Sequence, residues 1–158
     1  MNIQLRERTE ESVKIYFEQS QQPFIKKMLP QKARNLEEAI EDYKKSNQPG
    51  STSFGKIIYV GEKYVGDVWC YCINLEDTPN AMLSFCIFDK EYANMGIASE
   101  AVDMFLQEIS EKYNILSVGA FVFADNTASH RVLEKNGFIL IEEFKEDDRK
   151  SRYYQRLF

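Results

Sequence analysis

Gly96 lies in the segment 91–102, EYANMGIASEAV, where an apolar run gives way to a helical pattern. A chain that turns there from strand to helix leaves the first backbone N–H groups of the helix unpaired and aimed one way, a geometry that receives a phosphate. Glycine tolerates the positive φ or close approach such a loop asks for. The plainer reading is a strand-to-helix turn with Ser99 near its cap. A second segment, 125–138, DNTASHRVLEKNGF, opens with Asn126 and Ser129 three residues apart and closes on Gly137. Asparagine is a favoured N-cap and glycine a favoured C′ residue, so this stretch also reads as a short, well-punctuated helix. Ser129 lies four residues before Leu133 and shares its inward face. A hydroxyl there wants a partner, either a carbonyl of its own helix or a bound group. Together, in this order and spacing, the two segments point to an enzyme that handles a phosphorylated cofactor.

The elements that must position these residues follow from periodicity and punctuation. Residues 10–20 read as a helix, with Val13, Ile15, Tyr16 and Phe17 as its apolar positions. Pro23 and Pro30 bracket a turn-rich stretch, and Asn35 caps a helix running to about residue 45. A loop at 47–53 leads to a strand at 54–60, a hairpin turn at Gly61-Glu62 and a strand at 64–73. A polar connection, 74–80, precedes the apolar run 81–88. Val102, Phe105, Leu106 and Ile109 mark a helix over 98–112. A strand at 115–123, the helix 126–136 and strands at 138–144 and 152–158 complete an α/β or α+β single domain.

Composition narrows the function classes. The chain has 158 residues, enough for one domain with a sizeable core, and carries 25 acidic against 20 basic residues, a net charge of −5. That balance is a poor footprint for nucleic acid. No apolar run is long enough to span a membrane, and the N-terminus does not read as a signal peptide, so the expected location is cytoplasmic. Cys70, Cys72 and Cys86 all sit in apolar runs and are expected to be buried, reduced thiols. No His/Cys/carboxylate group has metal spacing, and no Ser–His–Asp or Cys–His arrangement is legible.

The two segments resemble the GNAT family of acyl-CoA-dependent N-acyltransferases. The family's phosphate loop reads Gln/Arg-x-x-Gly-x-Gly/Ala before a helix; here the register gives Ala93-Asn94-Met95-Gly96-Ile97-Ala98, with Ala93 in place of Gln or Arg. The branch similar to ribosomal-protein alanine acetyltransferases carries Asn-x-x-Ser-x-x-x-Leu-Glu-Lys-x-Gly-Phe, matched here at Asn126, Ser129, Leu133, Glu134, Lys135, Gly137 and Phe138. The resemblance implies a mixed sheet, splayed at its middle and flanked by helices, with acetyl-CoA in the gap. It implies that backbone N–H groups from Asn94 to Ser99 hold the pyrophosphate. A backbone N–H near Ile87 or Phe88 would stabilise the oxyanion, Asn126 would meet the pantetheine amide, and Ser129 would support the departing thiolate. The partners implied are acetyl-CoA and an amine acceptor, with the protein a monomer or homodimer. A non-catalytic acyl-CoA-binding module of the same fold is the alternative, and a cofactor-free interaction protein a further one.

Many GNAT enzymes place a tyrosine acid seven residues after the asparagine, and here that position is Leu133. Tyr71, Tyr92, Tyr153 and Tyr154 are the candidate substitutes. Glu76, Asp77, Asp89, Glu142 and Glu143 are candidate bases, each also readable as a solvated charge. Glu76 and Asp77 are further expected to draw a cationic acceptor toward the gap. His130 is expected to be an exposed residue rather than a base.

Overall fold

The computed structural model describes residues 1–30 and 33–158. The elements are β1 (Ile3–Glu7), α1 (Glu10–Ser20), α2 (Pro23–Met28), α3 (Leu36–Ser46), β2 (Phe54–Val60), β3 (Lys63–Asn74), β4 (Asn80–Ile87), a 3-10 turn (Lys90–Tyr92), α4 (Ile97–Tyr113), β5 (Ser117–Phe123), α5 (Thr127–Lys135), β6 (Ile139–Glu146) and β7 (Arg149–Leu157). The strands form one mixed sheet in the order β1-β2-β3-β4-β5-β7-β6. All neighbours are antiparallel except β4 and β5. A parallel pair needs a crossover, and α4 supplies it.

Local chemistry explains most boundaries. Thr9 and Ser12 form a capping box at α1, and the Asn35 side chain accepts from the Glu38 N–H at α3. The helix α4 buries Ile97, Ala101, Val102, Phe105, Leu106 and Ile109 against the sheet, where Ile58, Val68, Leu83 and Val118 complete a core closed to solvent. A second, smaller cluster of Ile25, Cys86 and Phe88 packs with Tyr16, Tyr64 and Trp69 on the other face.

Three sequence expectations change. The stretch after Pro23 is a helix, α2, with proline at its start and Lys26 and Lys27 in its last turn; six residues are too few for a visible period. The strand β1 went unread because it is an edge strand, half exposed and carrying Arg6 and Glu7. Cys72 is exposed, in contrast to buried Cys70 and Cys86, because β3 bulges there and Cys72 takes a φ of +50°.

Beneath α1, Arg8 Nη2 lies 3.4 Å from Asp67 Oδ2, and the Tyr64 hydroxyl donates to the other carboxylate oxygen. Gly55 leaves the space the Arg8 guanidinium fills, since a Cβ there would sit 2.3 Å from Arg8 Cζ. Burial raises the Asp67 carboxyl to about 6, against the lowering pull of Arg8 and Tyr64. A carboxyl whose folded value exceeds its unfolded one favours the fold below its unfolded value, and that contribution is lost as pH rises through the folded value. Asp67→Asn removes this dependence. Denaturant melts at pH 4 and pH 7 are expected to show the variant gaining on the parent by on the order of 2 kcal/mol at the higher pH.

Candidate active site

The parallel pairing of β4 with β5 covers only Asn80–Ser117, Ala81–Val118 and Met82–Gly119. Beyond Met82 the strands part. The Phe88 N–H donates to Val65 O at 2.9 Å, which sets the alternation along β4. Residues 88, 86 and 84 turn their N–H and C=O groups to β3, while Leu83, Phe85 and Ile87 turn theirs to the β5 side; Leu83 flanks the last bridge, Met82–Gly119, and Phe85 and Ile87 face the gap. On the far side of the gap β5 is paired only with β7. The seam is therefore lined on one wall by backbone donors and acceptors that no strand satisfies.

Two cavities share this seam. The larger, about 650 Å³, lies between the end of α2 (Met28, Leu29), the diverging strands, and Glu142, Phe144 and Glu146 of β6. The second, about 520 Å³, runs along Ile87, Asn94, Gly96, Ile97, Ala98 and Ser99 on one side and Asn126, Ser129, Arg131 and Lys135 on the other. Met28, Leu29, Phe85, Asn126 and Ser129 line both.

At the mouth of the second cavity Gly96 has φ +80° and ψ 2°, directly after Asn94 at φ +59° and Met95. The Gly96 carbonyl accepts from Glu100 at 3.2 Å. Among the described residues the N–H groups of Gly96, Ile97, Ala98 and Ser99 meet no acceptor, as expected of a first helical turn. Opposite, the Asn126 side-chain oxygen accepts from the Ser129 N–H at 3.3 Å, so Asn126 is an N-cap, and its amide nitrogen is left over for a guest. The Ser129 hydroxyl is half-buried and makes no hydrogen bond among the described residues.

The helix α5 is held at both ends by contacts that the sequence did not announce. The Asn136 amide donates to Ser99 O at 3.1 Å, tying the end of α5 to the first turn of α4, and Arg156 donates to Asn136 O at 3.0 Å. His130 is buried, which corrects the expectation of an exposed residue: its Nε2–H donates to Ala124 O at 3.0 Å, and the Tyr154 hydroxyl donates to its Nδ1 at 2.9 Å. The register of α5 that points Leu133 into the core turns His130 toward β7 as well. Both ring nitrogens are used, so His130 positions the helix. Across the gap, Arg149 Nη2 donates to Lys27 O at 2.6 Å, lies 3.3 Å from Asp125 Oδ1, and the guanidinium stacks 3.5 Å from the Phe123 ring centre. This strap joins the end of α2 to the opposite half of the sheet.

Other candidates separate clearly. Phe88 is not available for an oxyanion, because its N–H is spent on Val65 and its side chain is buried in the second core cluster; Ile87 is the residue whose N–H faces the seam. Met95 is 49% exposed and stands outside the cavity lining. Glu76 and Asp77 belong to the β3–β4 turn, at the closed end of the seam, so they do not flank the gap. Asp89 caps the 3-10 turn and pairs with Lys63 at 2.9 Å. Glu143 is held below its usual range by a hydrogen bond from Arg152 at 2.8 Å. Glu142 lines the larger cavity and makes no ion pair among the described residues, and neither does Glu146. Of the tyrosines, Tyr71 lines the larger cavity and Tyr92 the second; Tyr153 packs on Phe121 and Tyr154 is committed to His130. Burial raises Tyr71, so its phenol stays protonated at neutral pH. Cys86 also lines the second cavity, but burial pushes its thiol up to about 12, which makes it a poor nucleophile. Among the described residues no group could hold a metal ion, and no helix is long and apolar enough to cross a membrane.

Sequence reasoning matched Lys135 to the family segment without giving it a role, and missed Arg131, four residues before it on an already suspected helix, and the α2 wall.

The comparisons agree on architecture. Residues 2–139 match the family described as acetyltransferase (GNAT) domain. No curated protein matches the chain in sequence. Among solved structures, RimL, a ribosomal L7/L12 alpha-N-protein acetyltransferase in complex with coenzyme A, is similar at 18% identity and TM-score 0.84, covering 100% of this chain and 95% of that one. A spermidine N-acetyltransferase from Vibrio cholerae with coenzyme A and spermine gives 15% and 0.86, over 98% and 95%. The aminoglycoside acetyltransferase AAC(6')-Ib in complex with coenzyme A gives 16% and 0.80, over 99% and 95%. At these identities the likeness is one of fold.

Because no atom lies within 4 Å of where a Gly96 Cβ would stand, Gly96→Ala is limited to backbone strain. Its expected cost is about 1–2 kcal/mol in a urea melt, with the fold retained.

Proposed function

The chain belongs to the GNAT acetyltransferase family, and on that premise we propose that it transfers acetyl from acetyl-CoA to a primary amine that arrives as a cation, gives up its proton to solvent, and then attacks the thioester directly as the neutral amine in a ternary complex. The observation that carries this reading is the shared wall at Phe85, Asn126 and Ser129, where a cavity suited to the cofactor meets one suited to an acceptor. Coenzyme A lies along the second cavity, its pyrophosphate on the N–H groups from Asn94 to Ser99 and its pantetheine amides on the open edge of β4 and the Asn126 amide. The thioester then reaches the junction, where the acceptor enters from the larger cavity.

The N–H of Ile87 is the donor this reading assigns to the oxyanion. Ser129, whose hydroxyl has no other partner among the described residues, donates to the sulfur as the thiolate departs. Holding both reactants at one junction supplies much of the acceleration. The unreactive Cys86 thiol favours direct transfer over an acyl-enzyme. A cytoplasmic location suits this reading, since three free thiols fit a reducing compartment.

Thermal-shift titration with coenzyme A tests the cofactor site. A ligand that binds only the folded state adds roughly 2.7 kcal/mol at a hundred times its Kd. Gly96→Asp, which sets a carboxylate beside the pyrophosphate, is expected to abolish that shift; a folded variant that keeps it excludes the loop. Ser129→Ala is expected to lower kcat roughly tenfold or more with acetyl-CoA affinity little changed. Equal kcat with chemistry rate-limiting would leave Ser129 a packing residue.

The acceptor's charge follows from Glu142 and Glu146, which line a cavity otherwise walled by Phe121, Phe123 and Phe144. Glu142→Gln is expected to raise KM for a cationic amine by up to about fivefold, to leave KM for acetyl-CoA unchanged, and to spare a matched neutral acceptor.

A further inference from the structure

The second cavity carries side-chain cations in addition to the backbone donors of the first α4 turn. Its charged lining residues are Asp125, Arg131 and Lys135. Asp125 is already paired with Arg149. Arg131 and Lys135 make no ion pair, hydrogen bond or ring contact among the described residues. The other arginines of this half are occupied: Arg149 by Lys27 O, Arg152 by Glu143 and Arg156 by Asn136 O. Thr127, Arg131 and Lys135 recur every fourth residue and form one stripe of α5 facing the cavity. The bond from Asn136 to Ser99 O fixes the Lys135 end of that stripe beside the first turn of α4. Two unpartnered cations thus stand next to a helix terminus that already offers its own N–H groups. In a chain of net charge −5, this is a local reversal of sign.

Coenzyme A carries a pyrophosphate and, separately, a phosphomonoester on its ribose. Backbone donors at α4 match the first, which has charge spread along a chain of oxygens. A monoester dianion is compact and more strongly charged, and side-chain cations with free donors suit it. Resting on the reading of this cavity as the coenzyme A site, we propose that Arg131 and Lys135 form the subsite for the cofactor's phosphomonoester and make the enzyme discriminate coenzyme A from dephospho-coenzyme A.

Titration calorimetry with both compounds tests this on the parent, on the singly changed Arg131→Gln and Lys135→Gln, and on the double variant. Both side chains are exposed, and circular dichroism checks that the variants fold. The parent is expected to bind coenzyme A roughly tenfold or more tighter than the dephospho compound. The double variant is expected to bring the two within about twofold while its affinity for dephospho-coenzyme A stays at the parental value, and raised salt should narrow the parental ratio. A parent that does not discriminate, or a ratio that survives in the double variant, overturns the subsite while leaving the cofactor reading standing. Binding of neither compound by the parent would overturn both.

Discussion

After Met82 the backbone of β4 has no strand on one side. The N–H and C=O groups of Phe85 and Ile87 face a gap, and unpaired backbone groups held away from water are costly. A sheet that leaves such a seam inside itself needs something to keep the two walls apart and something to occupy them. The parallel step from β4 to β5 does the first. It requires the α4 crossover, and both strands then end at the same edge of the sheet. The loops that follow them carry Gly96 on one side and Asn126 on the other, so the open edge of a parallel pair gathers the polar groups at the carboxyl ends of its strands.

Much of this was readable from residue order. The α4 stripe of Val102, Phe105, Leu106 and Ile109 has an unambiguous period, and the caps at Asn35, Gly96 and Asn126 fall where their chemistry places them. What stayed hidden was either short or non-local. The helix α2 has six residues, and the strand β1 exists because β2 pairs with it. His130 illustrates the limit best. Its own helix says only which way it points, while its burial depends on Tyr154, 24 residues later and on another strand. The parity of β4 is likewise invisible locally: whether Ile87 or Phe88 offers its N–H to the gap depends on which of them β3 has taken.

Charge tells the same story of local departure from the average. The chain is acidic, yet the lining of the second cavity is not, and besides Asp125, which is paired with Arg149, the carboxylates placed against these two cavities are those of β6 rather than those of the β3–β4 turn. Buried polar groups are used as fasteners. His130 clamps α5 to β7, and Arg8, Asp67 and Tyr64 tie the approach to α1 to β3. Each holds an element that bears on the seam without entering it.

The position of β7 has a consequence for how the protein comes into being. It is the last strand in chain order, yet it lies between β5 and β6, and Arg149, Tyr154 and Arg156 reach from it to α2, to His130 and to the end of α5. A domain folds as a unit, although its strands are made in chain order. Here the β1–β4 meander can close early, while β5 must wait for residues 149–157 before it has any antiparallel neighbour. Until residues 149–157 join the sheet, the β5 wall of the seam lacks its antiparallel partner, so that wall depends on a pairing between segments far apart in the chain.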